Sequence, residues 1–319
     1  MASTLELLTI NNADRIMQIP VDFTTSYPEL SYFSASIVPE INFNAAIAVP
    51  SVGQGGFRDP YQGIERAHPD IVLKPVSCKL FDGSWDADTG AARGYHRGEE
   101  EYYNLIRQTA MLGTLSKICR QIWWGLDENS GGFKGITQSI SAYTPKVGTK
   151  TPGCEHVFAV KTGEPYTQLA WGKNGTIEVK PMFQNTHTEF VGGKAKKYDT
   201  MGETINAWCG LQVGSEFSFG VCYHPSWSND NVAPGNVFND NMLYTLLSQF
   251  HVDFAPTAFF MSRKSAAALR ASRTATNPTG APAPVPDSVA GIPIYITESL
   301  TIGGPKVAFP DDEPTGTTP

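Results

Sequence analysis

The chain has 319 residues, room for one large or two ordinary domains with a sizeable core. Apolar residues make up 41% and charged residues only 17%, which excludes an intrinsically disordered chain and leaves a surface poor in charge. A formal net charge of -7 argues against a protein whose main task is gripping nucleic acid, although a container that merely encloses it stays allowed.

Cys78, Cys119, Cys154, Cys209 and Cys222 are scattered, odd in number and without a CxxC pair, the pattern of free thiols in a reducing compartment. The first residues lack a basic segment followed by an apolar one, so no signal peptide is expected, and no apolar run approaches a membrane span.

Residues 3–17 suggest a short helix with Leu5, Leu8 and Ile16 apolar. Residues 18–40, punctuated by Pro20, Pro28 and Pro39, suggest an extended arm outside the core. Ile41, Phe43, Ala45, Ile47 and Val49 then alternate as a strand. Val72, Val76, Cys78 and Leu80 continue a second run that Pro75 restricts to an edge. Gly53, Gly55, Gly56, Pro60 and Gly63 lie between them, so residues 41–82 predict a long hairpin. A two-stranded hairpin is marginal alone and needs a surface, either its own domain or a neighbouring subunit.

The longest predicted helix covers residues 99–124. Tyr102, Ile106, Leu112, Leu115, Cys119 and Ile122 recur near the helical period, Glu99, Glu100 and Glu101 complement the dipole, and Gly125 supplies the stop. Residues 166–223 are β-rich. Asn174-Gly175 predicts a two-residue hairpin between strands around 169–171 and 177–179. Ile205 to Val213 and Phe217 to Tyr223 alternate on either side of a turn at Gly214-Ser215. Residues 240–250 return to helix, capped by Asn239. Residues 303–319 read as a frayed tail.

Catalytic and metal signatures are sparse. The chain has no GxSxG elbow, no HExxH helix and no Walker loop. Gly53 to Phe57 lies between strands rather than before a helix, and so reads as a hairpin tip. Asp82, Asp86, Asp88 and Gly90 fail as a calcium loop, since Ala91 and Arg97 fall where glycine and a bidentate glutamate belong. Cys154 with His156, and Cys222 with His224, lack a second pair at metal spacing. His68, His96, His187 and His251 define no triad. No catalytic residue, cofactor or metal is therefore predicted. Lys194, Lys196 and Lys197 read as a solvated loop. Arg263, Lys264, Arg270 and Arg273 read either as an exposed helix face or as contacts to acidic groups on adjacent subunits.

Residues 258–297 order a short apolar strand, a helix capped by Ser262 and anchored by Leu269, a break at Asn277, Pro278 and Gly280, a Pro-rich loop, and a strand from Ile292 to Thr297. This order resembles the axial domain of a Hong Kong 97-type major capsid protein of a tailed bacteriophage. The matching residues are Phe260-Met261-Ser262-Arg263-Lys264 and Gly291-Ile292-Pro293-Ile294-Tyr295. Ser272 to Pro282 resembles a short-tailed subgroup. The resemblance runs from about Phe43 to Leu300, taking in the hairpin, the spine helix at 99–124 and the turn from Trp124 to Ile136.

The resemblance implies an α+β fold with five parts. These are an N-terminal arm (1–40), an extended hairpin loop (41–82), a peripheral domain with a long spine helix (83–224), an axial domain (225–300) and a C-terminal segment or tail (301–319). It implies a non-enzymatic shell subunit that assembles into hexamers and pentamers around double-stranded DNA, without sequence-specific or membrane binding. Such a subunit would reside in the virion after assembly in the bacterial cytoplasm. Expected partners are a separate scaffold protein, a portal and a decoration or cement protein, and no covalent crosslinking is expected. Phe57, Arg58, Asp59 and Arg66 are the expected intersubunit contacts, with Glu99, Glu100 and Glu101 as their partner. Asn277, Pro278, Thr279, Gly280, Pro282 and Pro284 are expected in the loop near the capsomer axis. The alternatives are an encapsulin-like nanocompartment, a soluble enzyme with an unrecognised site, and a tail or decoration protein.

Overall fold

A computed structural model of the chain describes residues 23–49, 57–63, 70–151, 153–191, 194–225, 238–275 and 281–301. The expected helix at 3–17 and the glycines at 53–56 lie outside these residues. In chain order the early elements are α1 (Phe23–Ser26), α2 (Glu29–Tyr32), β1 (Ala35–Ile37), β2 (Asn42–Val49), β3 (Asp70–Ser77), β4 (Lys79–Asp82), β5 (Trp85–Asp88), α3 (Thr89–Arg93) and α4 (Glu99–Trp124). Then come β6 (Lys146–Val147), β7 (Glu155–Val160), β8 (Thr167–Trp171), β9 (Glu178–Val191), β10 (Lys194–Val213) and β11 (Phe219–His224). The last are α5 (Asp240–Ser248), β12 (Ala258–Met261), α6 (Arg263–Ala275), β13 (Ser288–Val289) and β14 (Ile292–Ile296).

Two compact units divide these elements. One holds residues 30–142 and 162–218, the other 24–29, 143–161 and 219 onward. The sequence boundary at 224/225 is therefore corrected, because β7 and β11 pair with each other and β7 pairs with β12 in one sheet.

In the first unit β10 is the organising strand, 20 residues long. Along one edge it pairs antiparallel with β8 through 209–213 and with β9 through 194–206. Along the other it pairs with β4 and β5. β8 and β9 thus run in the same direction along one edge, and Asn174-Gly175 is not a hairpin turn. Lys173, Asn174 and Gly175 take φ of 54°, 58° and 66°, a left-handed jog within one long edge. The hairpin lies between β9 and β10, where Val191 faces Lys194 across a two-residue gap. A register shift between Gly202 and Thr204 leaves Pro181 and Met182 opposite one residue, and a bulge is where a strand tolerates proline. The run at Lys194, Lys196 and Lys197 is part of a strand, not a loop.

The helix α4 has the expected bounds. Its first end packs Tyr102 and Tyr103 against Trp85, Ala87, Ala92 and Tyr95. Its last two turns bury Ile118, Cys119, Ile122 and Trp123. The three last carbonyls, which a helix leaves without internal donors, are each bound: Ile136 N donates to Ile122 O at 2.8 Å, Thr137 Oγ1 to Trp123 O at 2.9 Å, and Gln138 Nε2 to Trp124 O at 2.6 Å. Gly125 has φ of 53°, and a Cβ there would stand 2.1 Å from Gly135 N.

The arm expected at 18–40 is corrected over its described part. Phe33 is buried with its ring 5.8 Å from Trp123, and β1 pairs in parallel with β8. In the second unit Glu29 is fully buried, its Oε1 accepting from Thr297 Oγ1 at 2.5 Å.

The second unit's sheet runs β13-β14-β12-β7-β11-β6. Every residue of β7, β11 and β12 is buried, so these strands are covered on both faces rather than on one. Leu243 and Leu246 of α5, and Ala266, Ala268 and Leu269 of α6, pack into this core with Phe259 and Met261. Both helices are capped as their sequences indicate. Asn239 Oδ1 accepts from Met242 N at 3.1 Å, and Ser262 Oγ from Ser265 N at 3.2 Å.

Candidate interaction surface

β2 and β3 form a two-stranded ribbon with eight facing pairs, from Asn42 with Ser77 to Val49 with Asp70. Its root lies on its own unit, the first of the two surfaces that the sequence allows. Val76 and Cys78 pack with Ile41, Phe43 and Ala45 against Ala170 and Trp208 of the large sheet. Gly172 and Gly210 make room, since a Cβ on either would approach Cys78 to between 3.1 and 3.3 Å. Farther out, Leu73 is 60% exposed.

At the ribbon's far end, residues 57–63 fold on themselves. Arg58 Nη1 donates to Gln62 O at 2.9 Å, and Gln62 N to Asp59 O at 3.1 Å. Phe57 and Tyr61 are fully exposed, Tyr61 at φ of 70°. A turn that spends its polar groups internally while extending two aromatic rings into water is a costly surface for an isolated subunit. Arg66 lies outside the described residues. Glu99, Glu100 and Glu101 are exposed on the first turn of α4, with Glu99 in a loose pair to Arg93 at 3.7 Å. Among the described residues the tip and this acidic turn form no ion pair with each other.

The basic face of α6 is largely exposed, as one of the two sequence readings has it, yet each of its side chains also has a partner within its own unit. Arg273 makes two bonds to Asp240, at 2.9 and 2.8 Å, and a third to Ser288 O at 3.0 Å. Arg270 Nε donates to Ala283 O at 2.7 Å, Arg263 pairs with Glu298 at 3.2 Å, and Lys264 stands 3.9 Å from Glu155. The Pro-rich loop is stitched to the same helix, since Ala283 N also donates to Thr274 Oγ1 at 3.0 Å. Ala283 is buried while Pro282 and Pro284 are exposed on either side of it. Asn277, Pro278, Thr279 and Gly280 lie outside the described residues.

A second exposed surface has no counterpart in the sequence reading. Val179, Met182 and Phe183 of β9, with Ile177 before it, are between 40% and 57% exposed. The cue was Gly192-Gly193, a two-residue hairpin signal between two strand-like runs.

The cysteines are free and buried, and the chemistry follows from that. Burial pushes the Cys222 thiol up to about 12, and burial followed by the neighbouring Cys78 does the same to Cys209. Cys209 lines a cleft of about 390 Å³ between β4, α4 and residues 128–133. Its thiol stays protonated at neutral pH and is no nucleophile there. No group of three His, Cys, Asp or Glu side chains suited to a metal ion occurs among the described residues.

The architecture defines a class. An α+β chain with a spine helix packed on a sheet, a two-stranded ribbon, and a second unit built on a strand-helix-strand crossover has the Hong Kong 97-type fold. Among solved structures it is similar to a chain of the bacteriophage Epsilon15 structure, 12% identical with a TM-score of 0.62, over 92% of this chain and 94% of that one. At lower scores it is similar to the bacteriophage JBD30 capsid, 9% identical with a TM-score of 0.46, over 94% of this chain and 100% of that one. It is also similar to a holo encapsulin complex from Synechococcus elongatus, 9% identical with a TM-score of 0.41, over 68% and 94% of the two chains. No family model and no curated protein matches the sequence. At these identities the likeness is one of fold.

Proposed function

We propose that the chain is the major capsid protein of a tailed bacteriophage, a subunit that assembles into an icosahedral head around double-stranded DNA. The observation that carries this reading is a shared fold over nearly the whole of both chains, combined with a ribbon tip whose aromatic side chains are fully exposed. Shell stability would come from many contacts repeated by symmetry rather than from a dominant site. The first unit takes the peripheral role and the second the axial role, with Pro282 and Pro284 facing the capsomer axis. The ribbon tip lies on a neighbouring subunit, where Arg58 meets carboxylates such as Glu99 to Glu101 through charge-assisted bonds. A scaffold protein, a portal and a decoration protein complete the partner set, and the protein resides in the virion after assembly in the host cytoplasm.

Electron microscopy of the purified full chain, alone or with the proteins encoded beside it, tests this directly. Closed shells enclosing double-stranded DNA support the reading. Shells that hold protein cargo instead favour a nanocompartment. A compact monomer under every assembly condition sinks both.

A further inference from the structure

Four buried polar side chains meet beneath the first turn of α6, and the proposed shell contacts use none of them. Glu155 opens β7, His224 closes β11, Ser262 caps α6 and Ser265 sits in its first turn. They are 1%, 2%, 0% and 0% exposed. Ser262 Oγ donates to Glu155 Oε2 at 2.8 Å. His224 Nδ1 stands 2.8 Å from Pro225 O, and because a carbonyl only accepts, Nδ1 carries a proton. In the neutral ring Nε2 then accepts, and Ser265 Oγ, 2.8 Å away, gives it a proton. The two hydroxyl oxygens lie 3.1 Å apart with both of their protons directed elsewhere. In this state the cluster is two separate bonds.

A proton taken from water onto Nε2 joins them. The imidazolium donates to Ser265, Ser265 turns its hydroxyl to Ser262, and Ser262 keeps its bond to Glu155. Three bonds then run in line from a cation to a carboxylate, with no heavy atom displaced. The Phe238 ring, stacked on His224 at 4.3 Å and 13°, also favours the cation. Opposing it are Lys264, 3.9 Å from the far oxygen of Glu155, and His156 beside Glu155 on β7. Burial lowers the His224 pKa, while the Pro225 carbonyl and the Glu155 charge raise it. At His156 burial, followed by Lys150, takes the pKa down to about 4.

We propose that Glu155, Ser262, Ser265 and His224 form a buried proton relay, continuous only when His224 is protonated, when the two separate bonds join into one chain from β11 through the start of α6 to β7. Deuterium exchange at the imidazole C2 position, followed by mass spectrometry of the full chain across pH, reads a titration midpoint for each histidine. His224 should titrate at higher pH than His156. Ser265→Ala and Ser262→Ala should each lower the His224 midpoint by about one pH unit, a tenfold loss of proton affinity. Ser265→Thr, which keeps the hydroxyl, should restore it, an outcome that mere packing would not produce. Ser262 also caps α6, so if its alanine variant does not fold, Glu155→Gln takes its place and should lower the midpoint equally. An unchanged His224 midpoint in the alanine and Gln variants, or His224 titrating below His156, overturns the relay.

Discussion

The turn that ends α4 and the turn at the ribbon tip are built from the same residue types: an aromatic, an acid, a base and glycine. Their outcomes are opposite. In the first, Phe133 is 6% exposed, Arg120 holds Glu128 through two bonds of 2.8 and 2.9 Å, and Gln121 Nε2 reaches Phe133 O at 2.7 Å. In the second, Phe57 is fully exposed and Arg58 bonds only its own turn. One turn is finished by the subunit that carries it. The other is internally ordered but leaves its apolar surface uncovered, as a contact made between subunits requires. Under the proposed function the difference separates residues that hold the fold from residues that would hold the assembly, and mutation can test it at either end.

The largest expected effect is at the finished turn. Gly125→Ala places a methyl group 2.1 Å from Gly135 N at a backbone φ of 53°. The backbone strain and the steric conflict together should cost about 3 to 5 kcal/mol. Urea denaturation of the unassembled chain should show the loss, and a variant within 0.5 kcal/mol of the parent would show that the close packing of 125 against 135 is wrong.

A second effect comes from pH. His156 lies between Phe158, 6.1 Å away in a stacked geometry, and Tyr223, 5.0 Å away edge-on. Its folded pKa of about 4 lies below the ordinary 6.5, so the unfolded chain binds the proton more tightly. The stability from burying it neutral is complete above pH 6.5, falls as pH drops through that value, and is gone near pH 4. The loss is about 3 kcal/mol. His156→Phe should flatten much of the decline in melting temperature between pH 7 and 4. An equal decline in the variant would assign the acid sensitivity elsewhere.

The basic face of α6 sits on the finished side of the comparison, and its half-buried Arg273–Asp240 pair makes that measurable. Arg273→Ala removes three bonds and leaves Asp240 without its partner, at a cost of about 2 kcal/mol. The melting temperature should fall by several degrees. If instead only assembly fails while stability holds, the face belongs to neighbours after all.

Legibility followed the range of the interactions. The bounds of α4, the caps Asn239 and Ser262, and the β2–β3 ribbon were readable because period, cap and turn chemistry are local. Arg263, Lys264, Arg270 and Arg273 were readable as a cluster, but their partners Glu298, Glu155, Ala283 O and Asp240 come from other elements. Asn174-Gly175 misled because its left-handed conformation suits a jog in an edge as well as a hairpin, and only the pairing of β8 and β9 with one long β10 decides between them. Pro181 hid the real hairpin, since a bulge that tolerates proline is a property of two strands. The tip at 57–63 was legible as a turn; the full exposure of Phe57 and Tyr61 was not.

The smallest effect on stability carries the sharpest test. Phe57→Ala with Tyr61→Ala deletes two fully exposed rings, so unfolding free energy should change by less than about 0.5 kcal/mol. Assembly should respond very differently. Aromatic anchors dominate most interfaces, and losing about 2 kcal/mol per ring, repeated at every copy in a closed shell, should abolish shells at concentrations where the parent assembles. Light scattering against concentration reads this directly. Reversal of charge at Arg58 should act more weakly and lose its effect at high salt, because a rim charge mainly changes encounter rates. If the double alanine variant forms normal shells, the ribbon tip is an exposed ornament, and the contact surface must be sought on β9, where Val179, Met182 and Phe183 make the other uncovered apolar face.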